Sequence, residues 1–286
     1  CSDAYELNYV STVKISFEGV EDGIVTLDKG VDSYTAKISV KASTGITYFE
    51  IYNANPRTGD KVEAISGTAK SFETPEIDYS QEYTITGLTG NKCIKVSVTD
   101  VDGKLTEKSL LIKVTPSVIF SEELIMETAD DYYGSYYATW LTGRVYLRSN
   151  AGEYAKEVDL SLGMIAVNGE LVPALVSPAK RSESSLPTMS GLKDAQFSLT
   201  NLSINEYKAI TNVDSTPISS LSDPTLSTVE IANNKVYLYK TSDGKKGLFA
   251  ITKMAKRTGT IENADGKWEK EYTYWRVTFS TKTIAE

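Results

Sequence analysis

Along residues 9–115, apolar side chains recur at every second position in short runs. Val13, Ile15 and Phe17 alternate with polar neighbours, as do Ala36, Ile38 and Val40, then Phe49 with Ile51, then Ile94, Val96 and Val98, and finally Ile112 with Val114. A strand turns successive side chains to opposite faces, so period two over many segments, with no long stretch of period 3.6, predicts strands that each bury one face. Reversal signals fall between the runs at Glu18-Gly19, Asp22-Gly23, Lys29-Gly30, Thr58-Gly59 and Asp102-Gly103. Turns every eight to twelve residues or so predict a β-sandwich.

Pro116 breaks this pattern, because proline cannot extend a strand's ladder. All three tryptophans (Trp140, Trp268 and Trp275) and 11 of the 18 tyrosines lie beyond it. In this second segment, 120–127 is ambiguous and 132–140, 142–147, 158–167 and 171–176 read as strands, with a hairpin at Asn168-Gly169 and a helical turn at 151–156. Ser203 and Glu206 have capping-box spacing and predict a short helix over 205–211. The segments 178–187 and 214–227 read as polar loops, and 235–240, 247–253 and 272–281 as a meander turning at Thr241-Ser242-Asp243-Gly244 and at Ala264-Asp265-Gly266. The expected fold is therefore mainly β. A flexible leader (1–8) precedes an immunoglobulin-like β-sandwich (9–115), followed by a larger antiparallel β-rich domain with one or two short helices (116–286).

The same parity sorts the aromatics of the second segment. Trp275, Val277 and Phe279 share one face of their strand, which leaves Tyr272, Tyr274 and Arg276 opposite. Tyr237 and Tyr239 likewise face away from Val236 and Leu238, and Arg144, Tyr146 and Arg148 away from Val145 and Leu147. Flat rings beside guanidinium and hydroxyl donors suit sugars, which stack their C–H faces and hydrogen-bond through their hydroxyls. Tyr272, Tyr274 and Arg276, with Tyr237 and Tyr239 if the strands are neighbours, are the expected ligand-binding residues. Against this stands tyrosine's ordinary place in sheets, packed beneath a covering layer.

Composition narrows the chemistry. There is no histidine, which removes Ser-His-Asp and Cys-His nucleophilic sites and His-ligated metals. The formal net charge is -8, and the basic positions Lys245, Lys246, Lys253, Lys256 and Arg257 are interrupted by apolar residues, so nucleic acid is not an expected partner. Gly143, Gly152 and Gly163 are isolated and form no phosphate loop, so no cofactor is expected. Asp100, Asp102 and Gly103 fit a hairpin turn better than a calcium loop, since the further ligands are missing. Glu122-Glu123 and Asp130-Asp131 are adjacent pairs, which a strand would point to opposite faces and away from joint acid/base work. Asp214-Ser215-Thr216 fits either a plain turn or a short O-glycosylation signal.

The run 83–104, closing with Leu111-Ile112-Lys113-Val114, resembles the last strands of PKD-like and other bacterial immunoglobulin-like modules, with Cys93 where an aromatic is common. Parity puts Cys93 beside Lys95 and Ser97, as a partly covered structural thiol. The opening Cys1-Ser2-Asp3-Ala4-Tyr5-Glu6 resembles a processed bacterial lipoprotein, which implies acylation at Cys1, with a Cys1–Cys93 disulfide as the alternative. Asp3 and Glu6 resemble the acidic signal that sends Bacteroidetes-type lipoproteins outward on the outer membrane. The order Gly134-Ser135-Tyr136-Tyr137-Ala138, Thr142 to Tyr146, Ala155 to Asp159, Val176-Ser177-Pro178 and Tyr239 to Leu248 resembles an uncharacterised C-terminal domain of such surface lipoproteins. Together these imply a non-enzymatic, lipid-anchored surface protein that binds polysaccharide, with no membrane contact beyond the anchor and no protein partner specified. A structural or adhesive surface protein is the alternative, and a glycoside hydrolase the third.

Overall fold

The computed structural model describes residues 12–130, 132–140, 142–262 and 269–286. The expectations for Cys1, Asp3, Glu6, Asp131, Trp268 and the 264–266 turn lie outside them. The protein is mainly β, and it divides at Thr115/Pro116 into two compact units.

The first unit is built around β3 (Tyr34–Ala54), which is long enough to serve two layers. Its first half pairs with β1 (Val13–Phe17) and the end of β5 (Lys70–Ile85). Its second half pairs with β6 (Lys92–Asp100) and β4 (Lys61–Ala64). β7 (Leu105–Lys113) then continues the second layer antiparallel to β6, and β2 (Ile24–Thr26) joins β7 in parallel. Ile15, Phe17, Ile38 and Val40 from one layer meet Phe49, Ile51, Val96, Leu110 and Ile112 from the other in a single core. This is the expected immunoglobulin-like sandwich.

The switch between layers requires a break in parity. Even-numbered residues (Ala36, Ile38, Val40) point inward before the break and odd-numbered ones (Phe49, Ile51) after it, across irregular pairing between Lys41 and Tyr48. Gly45 sits at this bend with φ +93°, and a Cβ there would lie 2.7 Å from that of Pro75. The Asp100 carboxylate accepts the backbone N–H groups of Asp102 and Lys104, forming the hairpin turn read from the sequence. Cys93 is 3% exposed, more covered than expected, and burial raises its thiol pKa.

The second unit packs two antiparallel sheets face to face. One runs β11 (Arg144–Tyr146), β10 (Tyr136–Ala138), β12 (Leu160–Val167), β13 (Glu170–Val176), β15 (Thr228–Glu230). The other runs β14 (Ala195–Leu199), β16 (Val236–Thr241), β17 (Lys246–Glu262), β18 (Glu269–Ile284), β8 (Val118–Phe120), with β9 (Leu124–Glu127) also on β18. The ambiguous stretch 120–127 thus resolves into the end of one short strand and all of another. Asn168 and Gly169 make the two-residue turn between β12 and β13, both at positive φ as a type I′ turn requires.

Both outer faces are covered. Helices α2 (Ile204–Ala209) and α3 (Thr216–Ser219) bury Tyr207 and Ile218 against Val236, Leu238, Leu248 and Ala250. The Ser203/Glu206 capping box forms as expected, while α3 lies in a segment read as loop. Helix α1 (Arg148–Ala151) and two 3-10 segments, Gly152–Glu157 and Pro178–Ser184, cover the other sheet. The Ser-rich 178–187 stretch is anchored by Arg181, 1% exposed, which donates to Pro187 O (2.7 Å), Leu162 O (2.7 Å) and Ser161 Oγ (3.0 Å). Nothing in the local pattern reveals that burial.

Lys282 closes the other covering layer. Its ammonium donates to the carbonyls of Tyr207 (2.7 Å) and Ile210 (2.9 Å) at the end of α2, and lies between the rings of Phe120 and Tyr207. Burial pushes its pKa from 10.5 down to about 8. Below pH 8 both folded and unfolded chains hold this proton; between pH 8 and 10.5 the unfolded chain holds it more tightly, so this group's contribution to stability rises with pH across that window. The side-chain nitrogen of Lys282 is expected to titrate near pH 8 by NMR, apart from the other lysines, and Lys282→Met should remove the alkaline increment from urea-unfolding curves. Gly45→Ala is expected to cost about 1–3 kcal/mol in the same measurement, through the positive φ and the clash with Pro75.

Candidate functional site

Beyond Ala255 on β17 and Arg276 on β18, the two strands pair only with each other and form a two-stranded ribbon. Directly opposed residues share a face. One face therefore carries Arg276 with Ala255, Tyr274 with Arg257, and Tyr272 with Gly259. The rings of Tyr272 and Tyr274 stack with centroids 5.6 Å apart and planes at 30°. Gly259 makes this possible, because a Cβ there would come within 2.4 Å of the Tyr272 ring.

The structure brings Tyr272, Tyr274 and Arg276 together as expected, but with unequal access. Tyr272 is half-buried and Arg257 exposed, whereas Tyr274 is 8% exposed and lies beneath. Arg276 is not a free donor. Its Nε and Nη2 both reach Glu127 Oε1 (2.8 and 2.7 Å), and its guanidinium lies 4.7 Å from the centroid of the Tyr133 ring. Glu127 is fully buried, so the pair exists to compensate a desolvated carboxylate. The hydrogen bond to Glu127 raises the Arg276 pKa further.

Tyr237 and Tyr239 do not join this face. They are 1% and 0% exposed in the core between the two sheets, with Tyr237 OH accepting from the Ala232 N–H and Tyr239 OH bonded to Thr283 Oγ1. Their parity relative to Val236 and Leu238 is as read from the sequence. The correction is that β16 is covered on both sides, so the face opposite its apolar residues is interior too.

In a second aromatic group, the sequence puts Tyr146 on a polar face with Arg144 and Arg148 but does not join it to Trp140 and Tyr154. Tyr154, from the first 3-10 segment, stacks with Tyr146 of β11 (5.0 Å, 21°) and with Trp140 (5.9 Å, 30°), and the Trp140 indole N–H donates to Tyr146 OH (2.9 Å). The density of rings over residues 132–154 was the available signal. Beneath it, fully buried Asp159 accepts from the Thr139 N–H (2.8 Å) and Oγ1 (2.6 Å) and pairs with Lys193 (2.7 Å) and Lys245 (3.4 Å). Burial lowers the pKa of Lys193, but Asp159 and Asp243 outweigh it and the net shift is upward. A separate cleft of about 390 Å³, lined by Lys180, Asp194, Gln196, Asp223, Lys240 and Ser242, has no aromatic ring on which a ligand could stack.

The chain matches no protein-family model and no curated protein. Among solved structures it is similar to a DUF4466 family protein from Parabacteroides merdae, at 11% identity and TM-score 0.42 over 96% of this chain and 99% of that one. It is also similar to fibronectin(III)-like modules of Clostridium thermocellum CbhA, at 11% identity and TM-score 0.22 over 81% and 87%. Likeness at this level carries no argument about activity, so the residues must.

Arg276→Gln leaves Glu127 buried and uncompensated. It is expected to lower stability by roughly 2–4 kcal/mol in chemical unfolding, somewhat under the figure for a fully enclosed pair because the Arg276 side chain is 26% exposed. Loss of stability at or below the level of an ordinary surface substitution would contradict this structural role.

Proposed function

We propose that the second unit is a non-enzymatic saccharide-binding module whose ligand lies along the ribbon face. The observation that carries this reading is the stacked Tyr272–Tyr274 pair beside the exposed Arg257. Tyr274 backs Tyr272, so the outer ring is held in place before any ligand arrives and loses little freedom on binding. Arg257, opposite Tyr274, has no ion-pair partner among the described residues and supplies planar N–H donors for hydroxyl groups. The buried carboxylates of this unit support a binding role rather than hydrolysis, since Glu127 is held by Arg276 and Asp159 by two lysines and Thr139.

The near-complete cover of Tyr274 also favours a rival, in which the ring row is packing and the protein is structural or adhesive. Affinity gels and a glycan array with the full chain separate the two. Retention by at least one polysaccharide, weakened about tenfold or more by Tyr272→Ala with Arg257→Ala, is the expected result. Retention unchanged in that double variant removes the ribbon as a site, and silence across the panel leaves the rival standing.

A further inference from the structure

Trp140 stands at the rim of a cleft of about 310 Å³, lined also by Ile119, Thr139, Lys245, Thr283 and Ile284. The cleft shares no residue with the ribbon face. Trp140 is 37% exposed, although its ring is engaged with two neighbours. Tyr154 stacks on it, Tyr146 accepts its indole N–H, and Asp159 pins the backbone of Thr139 immediately before it. The indole is therefore oriented by contacts from Tyr154 and Tyr146, with its backbone neighbour Thr139 fixed by Asp159, while about a third of the residue remains open to solvent. Such rigidity adds little to stability in an exposed ring but lowers the entropic cost of stacking a ligand on it.

The polar groups around the ring indicate what it could take. Lys193 and Lys245 face Asp159 and Asp243, two cations against two anions, and the cleft's rim adds the Glu286 carboxylate. No excess of positive charge is present to select an anion, and the surroundings do not favour nucleotides or acidic sugars. Lys245 does have donors to spare. Its ammonium reaches Asp159 only at 3.4 Å, while Lys193 holds the same carboxylate at 2.7 Å. Lys245 can thus donate to a hydroxyl without breaking a short ion pair. The volume is at the lower end for a small-molecule site, enough for a sugar ring and not for an extended cofactor.

We infer that this cleft is a binding site for a neutral pyranose residue, whose apolar ring face packs on Trp140 and whose hydroxyls meet Lys245 and the Glu286 carboxylate. The site is independent of the ribbon, so it can stand if the ribbon reading falls and fall if the ribbon stands.

The test uses the full chain in affinity gels containing dextran, galactomannan or xyloglucan, with polygalacturonate as the acidic counterpart. At least one neutral polysaccharide should retain the protein. Trp140→Ala should weaken that retention about tenfold or more and Lys245→Met about three- to tenfold, while Tyr272→Ala with Arg257→Ala leaves this component in place. Trp140→Phe, which keeps a flat ring, should stay within about threefold of the parent, which separates loss of the platform from loss of the fold. Retention should change less than about twofold between about 0.05 and 0.5 M salt, because no net charge is being neutralised. The inference is overturned if no neutral polysaccharide retains the chain, if Trp140→Ala binds as the parent does, or if only polygalacturonate is retained and salt releases it.

Discussion

The second unit depends on one constraint, that its central strands are buried on both faces. Val236, Leu238, Leu248 and Ala250 lie under α2 and α3, while Tyr237, Tyr239, Phe249 and Ile251 fill the space between the sheets. A sheet in that position has no solvent side, so every tyrosine hydroxyl buried against it, from its own strands or from the facing sheet, must find an internal partner. Thr281 and Thr283 of β18 serve this purpose for Tyr137 and Tyr239, and the Ala232 N–H for Tyr237. The cost of burying the Tyr137 phenol appears in its pKa, pushed up to about 12 mainly by desolvation. Among the described aromatics of this unit, the rings that keep exposed surface lie away from the central strands, at Tyr132, Phe120 and the Trp140–Tyr154 stack, with Tyr272 on the ribbon half-buried.

The same limit governs the charged groups. In this unit the buried charges Arg181, Lys282 and Asp159 mark places where a non-strand segment is attached to the sheets. Arg181 ties the 178–184 turn to β12, Lys282 ties the end of α2 to β18, and Asp159 ties Thr139 to Lys193 and Lys245. Glu127 on β9 fixes Arg276 on β18 where the ribbon begins. Desolvation makes an unpaired charge at such points strongly unfavourable, so these contacts tolerate few alternative arrangements. They place both aromatic groups next to rigid anchors rather than on free loops. In the first unit a backbone device has the comparable role, since the bend at Gly45 lets one strand serve both layers.

Local chemistry was enough to read much of this from the chain. Alternation at Ile15 and Phe17 or at Ile94 and Val96 shows which side of a strand faces a core, because side-chain direction has period two. Asn168-Gly169 and the Ser203/Glu206 box were equally legible, since each needs only a few adjacent residues. Parity also grouped Tyr272, Tyr274 and Arg276 correctly on one face. It could not reveal that Glu127 occupies the Arg276 guanidinium, nor that a second sheet covers Tyr237 and Tyr239, because both facts depend on elements far away in the chain.

What the amino-acid sequence determined by itself was many of the strands and the capped helix, the boundary at Pro116, the faces of those strands and, through the missing histidine, a set of His-dependent chemistries that these residues cannot perform. Only the tertiary structure decided which faces meet solvent, which charges are spent on one another, and that Trp140, Tyr146 and Tyr154 form one stack. The physical reason is that side-chain direction is set by the residue's own backbone, whereas burial is set by whatever packs on top of it.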